Sequence, residues 1–231
     1  MDEKLTALVP MKAHSERVPD KNVRDFNGRP LFHWILGTLN STSVVDEVVV
    51  DTDSPRIAEE AAKKFGATII DRPEPLCGDE VSMNDIIRHD IEVVDADSYL
   101  QTHCTNPLLR SSTIDDAFEA FQDNNHDSLF SVTSHKTRLW TDGPEPLNHE
   151  RDSLIPTQRL DPVYEENSNL YFFTHDSFLN RKNRIGDNPG IYEMNKEEAV
   201  DIDYPIDFRY AEFLHKDIYG NTPEMEAVVD R

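Results

Sequence analysis

Cysteine is scarce in this chain: Cys77 and Cys104 lie far apart and form no Cys-x-x-Cys motif. No histidine pair has zinc-site spacing, so neither a disulfide scaffold nor a zinc module is supported. Basic residues are also few. Lys and Arg total 23 against 45 Asp and Glu, a net charge of −22. Such a surface repels nucleic acid backbones and anionic membranes, so neither is an expected partner. No apolar run is long enough to cross a bilayer. The opening Met1-Asp-Glu-Lys lacks the basic and apolar regions of a secretory signal, and a cytoplasmic, reduced setting is the expectation. A Gly-x-x-x-x-Gly-Lys loop and a Gly-x-Ser-x-Gly elbow are both missing, which leaves P-loop and hydrolase-triad chemistry without support. Internal repeats and low-complexity tracts are absent as well.

What the chain does have is alternation. Apolar strand-like runs occur at 5–9, 47–50, 67–70, 99–102, 128–133 and 169–174. Pro10 is read as the stop of the first. Between the runs lie helical patterns. Residues 31–39 form one. Ser54-Pro55 opens another by N-cap and first-turn proline, with Ile57, Ala61 and Phe65 on one face and Gly66 closing it. Residues 84–94 form a third. Ser112 is read as the cap of a fourth, with Asp115 at the capping-box position. Strands alternating with amphipathic helices predict an α/β fold: a mostly parallel sheet with helices on both faces. In such sheets ligands bind beyond the carboxyl ends of the strands. The loops after the first strand, after Asp51-Thr-Asp53 and after Gln101 therefore mark the expected site. From 134 to 162 the alternation breaks into turn-rich sequence that still carries Leu139, Trp140, Leu154 and Ile155. These are too many apolar groups to leave in water, so 134–162 is read as an excursion from one domain spanning 1–231. Residues 220–231 read as a loose tail.

The chemistry concentrates after the first strand. Lys12, Ser15, Arg17, Lys21 and Asn22 fill one loop, and Met11 to Arg24 is the basic exception in an acidic chain. Cations and amides converging at a strand end suit a nucleotide triphosphate. A second constellation is Val200-Asp-Ile-Asp-Tyr-Pro-Ile-Asp-Phe208. Asp201 and Asp203 flank an apolar residue on a strand-like run, which puts both carboxylates on one side. Two such carboxylates repel unless a cation lies between them, and hard oxygen ligands beside phosphates suit Mg²⁺. Asp207 is assigned instead to the start of the next helix.

The stretch Ala7-Leu-Val-Pro-Met-Lys-Ala-His-Ser-Glu-Arg-Val-Pro-Asp-Lys-Asn22, with Phe26-Asn-Gly-Arg-Pro-Leu31 after it, resembles the opening of the sugar-acid cytidylyltransferases. The acylneuraminate enzymes are the nearest match and the ketodeoxyoctonate enzymes are relatives. Resemblance runs from Leu5 to about Leu214. Lys12 stands where that family usually has Arg, and Glu16 where acylneuraminate enzymes usually have Lys. The resemblance implies a Rossmann-like nucleotide-diphospho-sugar transferase fold. It also implies a homodimer built through the excursion, and Asp201 and Asp203 as metal ligands. Asp79-Glu-Val-Ser82 resembles the segment holding the cytidine, although a plain helix cap explains Ser82 equally. Gln101 to Leu108 and Tyr164 to Tyr171 resemble sugar-contacting segments. Glu165 stands where many acylneuraminate enzymes carry Arg.

The expectation is therefore a Mg²⁺-dependent enzyme joining CTP to an acidic keto-sugar with release of pyrophosphate. Lys12, Arg17 and Lys21 would stabilise transition-state charge. Lys12, Ser15, Asn22 and Ser82 would bind nucleotide, and Gln101, His103 and Asn167 the sugar. Two rivals stand beside it: a nucleotidyltransferase for another base or sugar, and a catalytically silent sugar-nucleotide-binding protein of the same fold.

Overall fold

The computed structural model describes residues 4–123 and 125–220. The expected tail therefore lies outside the described residues beyond Gly220. In chain order the strands are β1 (Leu5–Met11), β2 (Asp25–Phe26), β3 (Arg29–Pro30), β4 (Glu47–Thr52), β5 (Thr68–Asp71), β6 (Ser98–Gln101), β7 (Ser128–His135), β8 (Val163–Thr174) and β9 (Pro189–Glu193). The α-helices are α1 (Leu31–Leu39), α2 (Pro55–Phe65), α3 (Met83–Val93), α4 (Ser111–Asp123), α5 (His175–Arg181) and α6 (Pro205–Tyr219). Seven strands form one sheet in the order β5-β4-β1-β6-β8-β7-β9. β1, β4, β5 and β6 run parallel, β8 is antiparallel to both its neighbours, and β9 is parallel to β7.

Side-chain alternation on the strands explains the layering. Leu5, Ala7, Val9 and Met11 of β1 face one side and pack with α1, α2 and α4. Leu8 faces the other, with Ile87 and Ile91 of α3 and Phe178 of α5. Phe172 and Phe173 split the same way and are both fully buried. Truncating either to Ala removes roughly 3–5 kcal/mol. A third cluster holds α6 against the rest: Phe26, Leu31, Trp34, Ile202, Phe208 and Ala211. That cluster fixes the segment before α6, where Asp201 and Asp203 lie.

Several local expectations hold. Ser54 Oγ accepts from Ile57 N, and Gly66 takes φ 67°. Asp207 Oδ2 accepts from Tyr204 N at 2.7 Å at the start of α6. Others are corrected. β1 passes through Pro10 to Met11. Leu8 O accepts from Thr102 N on the β6 side, and the pairing with β6 ends at Leu8–Gln101. Pro10 presents the same edge beyond the end of β6, so no ladder bond is lost there. Ser112 is not the cap of α4. Ile114 N already bonds Arg110 O, and Asp115 accepts from Ser43 N at 3.0 Å instead of closing a box. Residues 201–203 form no strand; Ile202 N bonds Thr105 O at 3.0 Å in a connecting segment. β8 begins six positions before the expected 169, because a bulge at 167–170 absorbs polar residues within it. Ser168 has φ 57° there, and pairing jumps from Phe130–Tyr171 to Val132–Glu166.

Candidate active site

The carboxyl ends of β1, β5 and β6 open onto one cavity of about 340 Å³. Its wall gathers Lys12, His14, Ser15, Glu16, Arg17, Lys21 and Asn22 from the loop after β1. Arg72 comes from the end of β5, Asp79, Val81 and Met83 from the run into α3, and His103, Cys104 and Thr105 from the loop after β6. Of the residues expected to carry chemistry, Lys12, Ser15, Arg17, Lys21, Asn22 and His103 thus share one wall.

The loop after β1 is held by its own side chains and by groups from neighbouring segments. Asp53, just past β4, accepts from Ala13 N at 2.6 Å. Asn22 Nδ2 donates to Lys12 O at 2.8 Å, and its Oδ1 accepts from Cys104 Sγ at 2.9 Å. Burial pushes the Cys104 thiol up to about 12, so it acts as a donor and not as a thiolate. Lys21 Nζ donates to Ile202 O at 2.7 Å and ties the loop to the aspartate segment.

The cations at the mouth rest on carboxylates. Lys12 Nζ lies 2.5 Å from Asp79 Oδ1, and Arg17 Nη2 lies 2.8 Å from Asp203 Oδ1. Arg17 also stands over the Tyr204 ring, 5.3 Å from its centroid. Asp201 is different. Its Oδ1 is buried without a hydrogen-bond partner. Burial first, and then the Asp203 charge, raise its pKa, while Thr105 and Lys21 oppose them. An orphaned buried carboxylate oxygen beside a second carboxylate suits a divalent cation. Among the described residues no group of three or more His, Cys, Asp and Glu gathers as a metal cage. Any divalent ion held by the pair would have to take its remaining ligands from outside the protein.

Ser82, Gln101 and Asn167 do not line the cavity, and neither do Asp201 and Asp203. Ser82 caps α3: its Oγ accepts from Asp85 N at 3.2 Å and donates to Asp85 Oδ2 at 2.7 Å. Gln101 is fully buried, and its Nε2 donates to Thr102 O and to His103 Nε2 at 2.9 Å. That bond assigns the accepting tautomer to His103 Nε2. Burial holds this imidazole well below its ordinary pKa, and Arg184 and Lys21 add to the effect. Asn167 staples the β8 bulge, accepting from Ser131 Oγ at 2.6 Å and donating to Thr133 Oγ1 at 3.1 Å. Glu165 points away from the cavity network and pairs with His135 at 2.8 Å.

The match to known proteins decides the family. The family model described as cytidylyltransferase covers residues 6–226. This chain belongs to the cytidylyltransferase family. A pseudaminic acid cytidylyltransferase of Campylobacter jejuni is 24% identical over 220 residues, covering 90% of this chain and 95% of that protein. An N-acylneuraminate cytidylyltransferase A of Danio rerio is 27% identical over 216 residues, 90% of this chain and 50% of that one. Among solved structures, a CMP:2-keto-3-deoxy-manno-octonic acid synthetase complexed with CTP superposes at TM-score 0.69 and 16% identity. The match covers 93% of this chain and 99% of that one, a likeness of fold.

Four features of this cytidylyltransferase chain were not foreseen from sequence. Arg72 lines the cavity from the end of a parallel strand, a position that alone could have flagged it. Its Nε donates to both oxygens of the fully buried Asp51 at 3.1 Å, so Asp51 lies in the core rather than in the crevice. Asp90 of α3 is buried beside this pair. Burial first, then the Asp51 charge, push its carboxyl up to about 8, so Asp90 holds a proton while Asp51 faces the guanidinium. The Asn27-Gly28 turn between β2 and β3, with φ 50° and 90°, is a two-residue hairpin that its sequence does announce. Arg184, from an irregular loop after α5, had no signal at all.

Proposed function

We propose that this chain activates an acidic keto-sugar with CTP, giving the CMP-sugar and pyrophosphate. The observation that carries the proposal is the joining of the Lys12–Lys21 loop to the aspartate segment: Lys21 Nζ donates to Ile202 O, and Arg17 pairs with Asp203. The named activities of the relatives support the substrate class.

Transfer needs no covalent intermediate. The sugar hydroxyl attacks the α-phosphate in line, and negative charge grows on the phosphoryl and leaving oxygens. Lys12, Arg17 and Lys21 stabilise that charge, with Ser15 and Asn22 shaping the phosphate cradle. For Lys12 and Arg17 this requires exchange, since phosphate oxygens replace Asp79 and Asp203. Asp201 and Asp203 would hold Mg²⁺, which when bound would neutralise phosphate charge and lower the pKa of the attacking hydroxyl. Freed from Arg17, Asp203 gains the carboxylate capacity this role demands. Ser82 sets the start of α3 at the nucleoside end, while Gln101, His103 and Asn167 build the sugar end.

The chain acts as one domain with 134–162 as its homodimer arm. In support, Leu139, Trp140, Leu147, Leu154 and Ile155 are exposed along that excursion, Leu154 by 84%. The setting is cytoplasmic, in line with free Cys77 and Cys104. Light scattering is expected to give twice the chain mass at micromolar concentration; a monomer would remove the arm assignment. The activity is tested by pyrophosphate release from CTP with a panel of keto-sugar acids. Turnover of neutral sugars alone would overturn the substrate class.

A further inference from the structure

Arg184 lies between α5 and β9, largely covered, and is linked to the cavity wall through Gln101 and His103. Its backbone N–H donates to Asn84 Oδ1 on α3 at 3.2 Å. The guanidinium carbon stacks 3.5 Å over the Tyr171 ring centroid. Nη1 donates to Gln101 Oε1, and Nη2 stands 3.9 Å from Glu166 Oε1. The Tyr171 hydroxyl already donates to that same Glu166 oxygen. The Arg184 side chain is only 17% exposed.

A guanidinium carries five N–H donors in a planar fork. Here one makes a hydrogen bond to a neutral amide, and the approach to Glu166 is longer than a hydrogen bond. Burial pulls the Arg184 pKa down, so its charge is held at a cost that Tyr171 and Glu166 offset in part. A buried cation of this kind is completed by a carboxylate that binds in the fork. From Arg184 a donor chain runs through Gln101 to His103, which forms part of the cavity wall. Burial first, and then the charges of Arg184 and Lys21, lower the His103 pKa. In a keto-sugar acid the carboxylate and the reacting hydroxyl share one carbon. A carboxylate on Arg184 therefore keeps that hydroxyl one carbon from the fork, and the Gln101–His103 chain leads from there to the cavity wall.

We infer that Arg184 is the specificity-determining residue for the sugar's carboxylate, receiving it in its guanidinium fork behind Gln101 and His103. The inference rests on the sugar-acid assignment proposed above. It goes beyond that assignment by naming the group that separates an acid from its neutral counterpart. Stacking on Tyr171 sets the plane of the fork, and Glu166 fixes its direction without filling it.

The test measures pyrophosphate release with CTP, using pseudaminic acid, N-acetylneuraminic acid and the carboxamide of each. The parent enzyme, R184M and R184K are compared, with a melting curve for each. In R184M the KM for the acid rises by about a hundredfold, as loss of a charge-assisted pair implies. KM for CTP stays within about twofold, because a phosphate contact is not removed. Carboxamide turnover stays near the parent's, so the preference for acid over amide collapses. R184K keeps the charge without the fork and recovers part of that preference. An unchanged acid-over-amide preference in R184M overturns the inference. So does an equal loss for acid and amide with a lowered melting temperature, the mark of a purely structural role. A parent that turns over no keto-sugar acid overturns the underlying assignment, and the inference with it.

Discussion

The mouth of the cavity and the ground behind its wall hold their charges in opposite ways. At the mouth, Lys12–Asp79 and Arg17–Asp203 are exposed pairs, every partner more than a third accessible. Away from the mouth, the Arg72–Asp51 side chains are buried to within 1% and Arg184 is stacked and bonded from three elements. Exposed pairs contribute little to stability and exchange readily for a better ligand. Buried pairs are set when the chain folds, and removing one partner strands the other. The difference separates what the protein rearranges for a triphosphate from what it brings ready-made.

Asp201 bridges the two regimes, since its carboxylate is buried but its Oδ1 is unpartnered. Asp201→Asn keeps shape and removes one ligand charge, and the rate should fall on the order of a thousandfold. The metal-free fold should melt at an equal or slightly higher temperature, because repulsion from Asp203 is relieved. A lowered melting temperature with near-normal rate per folded molecule would make the pair structural and erase the contrast. Next comes Lys21, the half-buried cation tied to Ile202 O. Lys21→Met should cost about a hundredfold in kcat/KM as a charge stabiliser is lost. A loss confined to KM for CTP would instead mark it as a ground-state contact.

Behind the wall the readout is pH. Asp90 is raised from 3.8 to about 8, so the native state binds more protons than the unfolded one between those values. Stability should therefore fall as pH climbs from about 4 toward 8 and level off above. Asp90→Asn mimics the protonated carboxyl and should flatten that slope, seen in melting temperatures from pH 5 to 8.5. A slope unchanged in the variant would place the titration elsewhere. The smallest effect belongs to the mouth. Asp79→Asn frees Lys12 and should lower KM for CTP by less than about fivefold, with the gain screened by salt. A large loss of activity would show that Asp79 is not simply parked on Lys12.

The sequence was most legible where one local rule governs. The strand–loop–helix from β1 to α1, the Ser54 cap, Gly66 and the start of α6 at Asp207 all follow from residues close to them. It was least legible where the decision is made at long range. Pro10 stays in β1 because β6, some ninety positions on, ends beside it. Asp115 leaves its capping box for Ser43, and Asn167 and Ser131 fold a bulge that no alternation pattern encodes. In the site, residues on the β1 loop were readable because one segment carries them. Arg72 and Arg184 were not, because each gains meaning only from the side chains of other elements.

The central claim is that these regions together transfer cytidylyl to a sugar acid. Its most direct test is pyrophosphate release with CTP, UTP, ATP and GTP, each against keto-sugar acids, with and without Mg²⁺. The account predicts release that requires the acid and the metal and strongly favours CTP. Equal turnover with UTP, or release indifferent to the sugar acid, would contradict it.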